Sequence, residues 1–539
     1  MTQKPTNRFL WLPLAIAVAM VVGIFFGSRF TNNKPVAEND RKLNAILNLI
    51  ANDYVDTTNL HDLIEMSIPE ILSNLDPHTS YFTAEDLKAA TDDLNGSFSG
   101  IGISFMMVSD TISVIEVIPG GPSEKVGLMA GDQIVMIDDS VAVGPKMTNG
   151  EVMKRLRGDK GSQVKLGIKR QNSKKLLSYT VTRGDIPVNT VDTYYMIDNI
   201  TGYVKINQFG VHTYDEFITA MASLQEEGAK RYMIDLRGNG GGLMQMAVLM
   251  VNEFLPAGQP IVFTKGRYIH DDGDVWSDGN GSFQDAEVAV LIDEFSASAS
   301  EIFAGALQDN DRGLIVGCRS FGKGLVQKEF VLPDNSAIRL TTARYYTPSG
   351  RCIQKDYKEG MFSYEKELFD RYLNGELYSR DSVKVDQNQV FSTMNGRTVY
   401  GGGGIVPDIF VARDTSGITS YYIDVANAGL LQRYAFNYCN NNRSFLNQLD
   451  DYTEFLRVAP SDDALIKDFV DYAAKNNIAP RWYYINQSHD LLATNLKALI
   501  ARDIFGNMAF YPILNRNDKT VLAALRALNS HKAAFPITD

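Results

Sequence analysis

The sequence is poor in the residues that most often build metal sites and disulfide frameworks. It has three cysteines and six histidines in 539 residues. Cys318, Cys352 and Cys439 leave at least one thiol unpaired, so the fold must be held by packing rather than by disulfides. The histidines form no H-E-x-x-H pair and the cysteines lie far apart, so neither a metal nor any other cofactor is expected. A G-x-S-x-G nucleophile elbow is missing as well. The nearest approach, Gly96-Ser97-Phe98-Ser99-Gly100, has phenylalanine in the serine place. A histidine-based serine hydrolase drawing on His212 or His270 therefore lacks its signature. Long basic runs are absent, and 52 Lys and Arg against 64 Asp and Glu leave a net charge of −12, which argues against a nucleic-acid partner.

What the sequence does contain divides it into regions. Phe9 to Gly27 is uncharged and mostly apolar, long enough to span a bilayer, and Lys4 and Arg8 precede it. Residues 1–34 are expected to be a single-pass anchor in the cell membrane, with the body of the protein in a periplasm or outside the cell. A cleaved signal peptide with export is the second choice, because such segments also begin basic and turn apolar. Ala17 to Ala19 lies inside the apolar run, and Gly27-Ser28 is only a fair cleavage junction. Residues 35–95 are expected to be helical, with Leu43, Ile46, Leu47 and Ile50 at three-to-four spacing. Residues 96–185 read as β-rich, 186–413 as an α/β core with a polar insertion at 355–399, and 414–539 as a helical region rich in tyrosine. The fold class is thus a multidomain α/β protein.

The chemistry concentrates in the core. Val288 to Asp293 reads as a buried strand, and Ser298-Ala299-Ser300-Glu301 has the S-x-x-E spacing of a capping box ahead of the helix formers Ile302 to Leu307. Ser298 then sits at a strand-to-helix turn, where free amides and the positive helix end favour a developing oxyanion. A plain N-cap is the simpler reading of that spacing. A serine hydroxyl needs a base. Lys323, between Gly322 and Gly324 and beside Phe321, Leu325 and Val326, can serve if burial keeps its amine neutral. Gln327, one helical turn or two strand steps further on, could orient that amine. Tyr232 to Leu236 reads as a strand ending in Arg237-Gly238-Asn239-Gly240-Gly241-Gly242, a loop whose freed amides make an anion site or merely a tight turn. As a dinucleotide loop it fails, because Leu243 stands where glycine is required.

These blocks, with Leu340 to Arg351 and Gly401 to Asp408, resemble the carboxyl-terminal processing (tail-specific) serine peptidases, a family with a Ser/Lys dyad. The resemblance implies that Ser298 is the nucleophile, Lys323 its general base and Gln327 the support of the lysine. The spacing of 25 positions between serine and lysine (323 − 298) selects Ser298 over Ser296 and Ser300. It also implies an oxyanion hole from the amide of Ala299 and one amide of Gly240, Gly241 or Gly242, and a supporting or structural part for Asp309. Leu75-Asp76-Pro77-His78-Thr79-Ser80-Tyr81 resembles a further family block, a turn in which His78 is structural.

Residues 96–185 resemble a PDZ domain. Gly100-Ile101-Gly102-Ile103 matches its carboxylate-binding loop, where exposed amides capture a chain terminus while the peptide adds a strand. The expected substrates are proteins or peptides with free, apolar C-termini, seated against Ile101 and Ile103 and cut upstream near the C-terminal region. The competing function is a non-catalytic PDZ scaffold that recruits proteins at the membrane. A scaffold has no use for an amine buried beside Ser298.

Overall fold

The computed structural model describes residues 34–530 apart from Ser109, Pro145, Gln171, Asn172 and Lys174. The apolar run from Phe9 to Gly27 lies outside the described residues. Among those described, no helix is long and apolar enough to cross a membrane. The expectation of a single-pass membrane protein is corrected accordingly, and a cleaved, exported chain remains compatible with the finding.

The chain divides into two units, residues 1–74 and 75–539. Within the first, helices Lys34–Asp53 and Leu60–Leu72 follow the three-to-four apolar spacing read from the sequence, and Asn59 caps the second. Leu43, Ile46 and Leu49 stay exposed along the first helix.

The second unit is built on a six-stranded sheet in the order Val191–Met196, Thr201–Ile206, Arg231–Asp235, Glu287–Ile292, Leu314–Gly317, Ile409–Phe410. The first pair is antiparallel and the remainder parallel. Alternation along the strands sends Tyr232, Ile234, Val288 and Val290 to one face and Met233, Ala289 and Leu291 to the other. Both faces are covered, which is why these strands read as continuous apolar runs. Helices Thr213–Glu226, Met244–Asn252 and Ala299–Asp309 pack on the first face. The second is covered by Val521, Ala524, Ala527 and Leu528 of the last helix, Lys519–Asn529. Each large aliphatic side chain so buried contributes roughly 1.5–3 kcal/mol. That helix therefore belongs to the core, while Ser420–Asn427 through Asn507–Asn515 form a helical cluster around Tyr434, Phe469 and Leu496.

A second sheet carries Leu325–Val331 against Ala337–Tyr346, with Ser80–Phe82 and Pro260–Gly266 also pairing the long strand. Residues 355–399 hold the helix Met361–Leu373 and all but the last residue of a hairpin, Val390–Ser392 with Thr398–Tyr400.

The β-rich region is a sheet in the order Ile103–Val108, Thr111–Val117, Gln133–Ile137, Gln163–Lys169, Leu177–Thr182. Ile103–Val108 is its edge, paired on one side only among the described residues, and it begins at the Gly100–Ile103 loop. Ile101 is buried in the domain core, while Ile103 is half-buried against it.

Candidate functional site

Three neighbouring parallel strands, Arg231–Asp235, Glu287–Ile292 and Leu314–Gly317, end side by side and release the three sequence blocks at one sheet edge. In parallel sheets this carboxyl edge is where ligands bind. Ser298, Lys323, Gln327, Gly240 and Gly242 line one cavity there of about 450 Å³, joined by Tyr345. Neither His212 nor His270 lines it.

The S-x-x-E spacing is realised at the start of helix Ala299–Asp309, where the Glu301 carboxylate reaches back to the Ser298 N–H. Ser298, the N-cap, is held at φ 57°, ψ −113°. Such a conformation costs a non-glycine residue about 1–3 kcal/mol and persists only where surroundings enforce it. The enforcement is visible. The Ser298 N–H donates to Glu301 Oε2 at 2.9 Å, and the Tyr345 hydroxyl lies 3.1 Å from the Ser298 carbonyl oxygen. The neighbouring serines are spent on the scaffold, Ser296 Oγ donating to the Leu236 carbonyl and Ser300 Oγ to the Asn239 carbonyl, each at 2.9 Å. Both are fully buried, whereas Ser298 is half-buried and faces the cavity.

The glycine loop lies directly on this turn. A Cβ on Gly241, at φ +103°, would stand 2.7 Å from both the Ala297 carbonyl oxygen and Ser298 Cβ. One on Gly242 would stand 2.2 Å from the Phe209 carbonyl oxygen. Asn239, fully buried, clips the loop: its amide donates to the Ile206 carbonyl at 3.0 Å, and its Oδ1 accepts the Gly241 N–H at 2.8 Å. The Gly241 amide is thereby occupied. Of the three glycine amides expected for an oxyanion hole, those of Gly240 and Gly242 are the ones at the cavity with that role open to them.

Lys323 sits in the loop before strand Leu325–Val331, so Gln327 lies on a strand rather than a helix. The Lys323 Nζ donates to Gln327 Oε1 at 3.1 Å. Burial, reinforced by Arg339, pulls the amine below the ordinary lysine range, while Glu301 and Asp76 oppose that shift. The loop is held from beneath by Glu301, which is fully buried. Its carboxylate accepts from the Lys323 N–H at 2.8 Å, the Gly322 N–H at 2.7 Å and Ser320 Oγ at 2.5 Å, besides the Ser298 N–H. Burial pushes this carboxyl upward in pKa and the four donors pull it back. Glu301 thus joins serine turn and lysine loop through one side chain. From above, Arg371 of helix Met361–Leu373 donates to the carbonyls of Ser320 and Phe321, and the Lys355 ammonium lies 4.1 Å and 4.2 Å from the ring centroids of Phe321 and Tyr364. The polar 355–399 stretch is in this way a brace of the lysine loop.

Asp309 lies away from the cavity, at the other end of the helix. Its carboxylate holds Ser349 Oγ at 2.7 Å and the fully buried Arg351 at 2.7 Å, so it shapes the 347–351 turn. In the β-rich domain the carbonyls of Ile101 and Gly102 accept from Ser123 and Ile118, which locks the loop at the start of the open edge strand. Glu301 was legible only as a capping residue. Its reach to the lysine loop, like the contact of Tyr345 with the Ser298 carbonyl, joins distant segments that no local pattern encodes.

Parts of the chain match known protein families and relatives. Residues 200–360 match peptidase family S41, residues 99–181 a PDZ domain, and residues 421–506 a family of unknown function, DUF8443. The carboxy-terminal-processing protease of Bartonella bacilliformis is 38% identical over 57% of this chain and 71% of its own length. The carboxy-terminal processing protease CtpB of Bacillus subtilis is 34% identical over 64% of this chain and 72% of its own. Among solved structures, the photosystem II D1 C-terminal processing protease is 25% identical over 68% of this chain and 90% of its own, with a TM-score of 0.35. The chain is a PDZ-containing serine peptidase. It belongs to peptidase family S41, with the carboxy-terminal-processing proteases as its relatives.

Proposed function

We propose that the protein is a Ser/Lys endopeptidase that reads protein C-termini through its PDZ domain and cuts upstream of them. The observation that carries this reading is the half-buried Lys323 amine, held by Gln327 in the cavity that Ser298 faces. A neutral amine there takes the Ser298 proton as Oγ attacks the scissile carbonyl. The oxyanion forms toward the amides of Ala299 and of Gly240 or Gly242, at the positive end of the helix. Collapse expels the amine product, which receives its proton from the Lys323 ammonium. Water, deprotonated in turn by Lys323, then hydrolyses the acyl-enzyme and frees Ser298.

The substrate terminus is bound as an added strand on Ile103–Val108, its carboxylate at the Gly100–Ile103 loop and its apolar side chain beside Ile103. The open edge of that strand supports this. Exported proteins fit as substrates, on the sequence argument from Lys4, Arg8 and the apolar run after them.

The test uses peptides that differ only at their last residues. Ser298→Ala and Lys323→Met should each reduce hydrolysis at least about 10³-fold, with peptide binding retained. Hydrolysis surviving either substitution removes the dyad.

A further inference from the structure

The turn at residues 76–80 touches the proposed general base through one intermediary. Asp76, almost fully buried, gathers four bonds: Oδ1 accepts from the His78 N–H at 2.9 Å, the Thr79 N–H at 3.0 Å and Thr341 Oγ1 at 3.0 Å, and Oδ2 from Thr79 Oγ1 at 2.5 Å. Thr341 is the cross-strand partner of Gln327, at a register shift between Val326 and Gln327. The chain after the turn, Ser80–Phe82, pairs with the same strand at Ala337 to Arg339. The turn is thereby fixed to the sheet that carries Gln327. The His78 carbonyl oxygen accepts from Gln327 Nε2, and Gln327 Oε1 accepts from the Lys323 amine.

A glutamine amide has a donor end and an acceptor end. A carbonyl accepts only, so its placement decides which end meets the lysine. We propose that Asp76 is a positioning residue: it holds the 76–80 turn so that the His78 carbonyl fixes the Gln327 amide with its oxygen toward Lys323. The inference rests on the dyad reading above. The His78 ring is engaged elsewhere, Nε2 lying 2.8 Å from the Tyr364 hydroxyl, and burial with Lys323 nearby holds its pKa down to about 4. At neutral pH the ring adds no positive charge beside the amine. The charged groups around Lys323 are then Glu301 from the helix, Arg339 from the long strand and Asp76 from the turn, with Lys355 beyond His78.

The experiment measures kcat and KM across pH for Asp76→Ala, Asp76→Asn and Thr341→Val on an internally quenched peptide with an apolar C-terminus, beside Ser298→Ala and Lys323→Met. Asp76→Ala should lower kcat about ten- to hundredfold with KM nearly unchanged, the cost expected of a misplaced general base. Its ascending pH limb should move to lower pH, because a negative charge that favours the protonated amine is removed and the Gln327 acceptor is loosened. Asp76→Asn should keep most activity, since three of the four bonds go to Oδ1. A folded Asp76→Ala enzyme with wild-type kcat and an unmoved limb overturns the proposal, as does a loss confined to KM. If Asp76→Ala does not fold, Thr341→Val decides by the same two readouts. Activity surviving in the Ser298 or Lys323 variants refutes the dyad instead, whatever the Asp76 variants show.

Discussion

The two ends of helix Ala299–Asp309 carry buried carboxylates with opposite tasks. Glu301, in the first turn, has no cation bonded to it among the described residues and is satisfied by four N–H and O–H donors from the serine turn and the lysine loop. Asp309, in the last turn, is ion-paired with Arg351, and neither is exposed. A neutral donor set lets a carboxylate organise backbone without adding a cation of its own beside the proposed dyad, and the helix dipole favours negative charge at that end. At the far end, where the dipole disfavours it, the charge needs a full cation. The comparison teaches that burial alone does not mark a functional acid. What marks it is the identity of the segments its oxygens join.

The contrast can be broken by substitution. Arg351→Met leaves Asp309 buried and uncompensated, which should lower stability by about 3–5 kcal/mol in chemical denaturation, with the folded fraction still cleaving peptide. Loss of turnover without loss of stability would erase the proposed division. Glu301→Gln replaces an acceptor oxygen by a donor facing N–H groups, a change expected to weigh about 1–3 kcal/mol. Here the weight should fall on kcat, down roughly ten- to hundredfold on the same scale, more than on the melting temperature. A mutant with unaltered kcat would make Glu301 only a cap. The smallest effect concerns pH. Because burial lowers the folded-state pKa of Lys323 below its ordinary 10.5, the unfolded chain binds more protons between those two values. Stability should therefore rise with pH through that window, by about 1.4 kcal/mol for each unit of difference, and Lys323→Met should flatten the rise in denaturation midpoints measured across alkaline pH.

Much of the local structure around the candidate site was readable because its blocks are local. The S-x-x-E spacing marked the helix start at Ser298, and glycines beside Lys323 marked a tight loop. Local pattern could not choose between helix and strand for Gln327, since both periods bring residues four apart to one face. Nor could it show that Gly241 packs against Ala297 and Ser298 with no room for a side chain, because those residues lie more than fifty positions further on. The polar 355–399 stretch read as an insertion, yet Arg371 is buried against the lysine loop, a pairing between distant segments.

The order and types of residues determined by themselves which polar groups the candidate site has at hand, which strands are buried on both faces, and where helices begin, since capping, periodicity and glycine freedom act over a few neighbours. The tertiary structure alone decided that the last helix, Lys519–Asn529, closes the central sheet and that Glu301 joins two loops. It also decided that a turn at Asp76 reaches the amide beside Lys323. An apolar stripe or a buried carboxylate specifies that it must be covered or bonded, but which surface or donor meets it is settled only when segments hundreds of residues apart pack together.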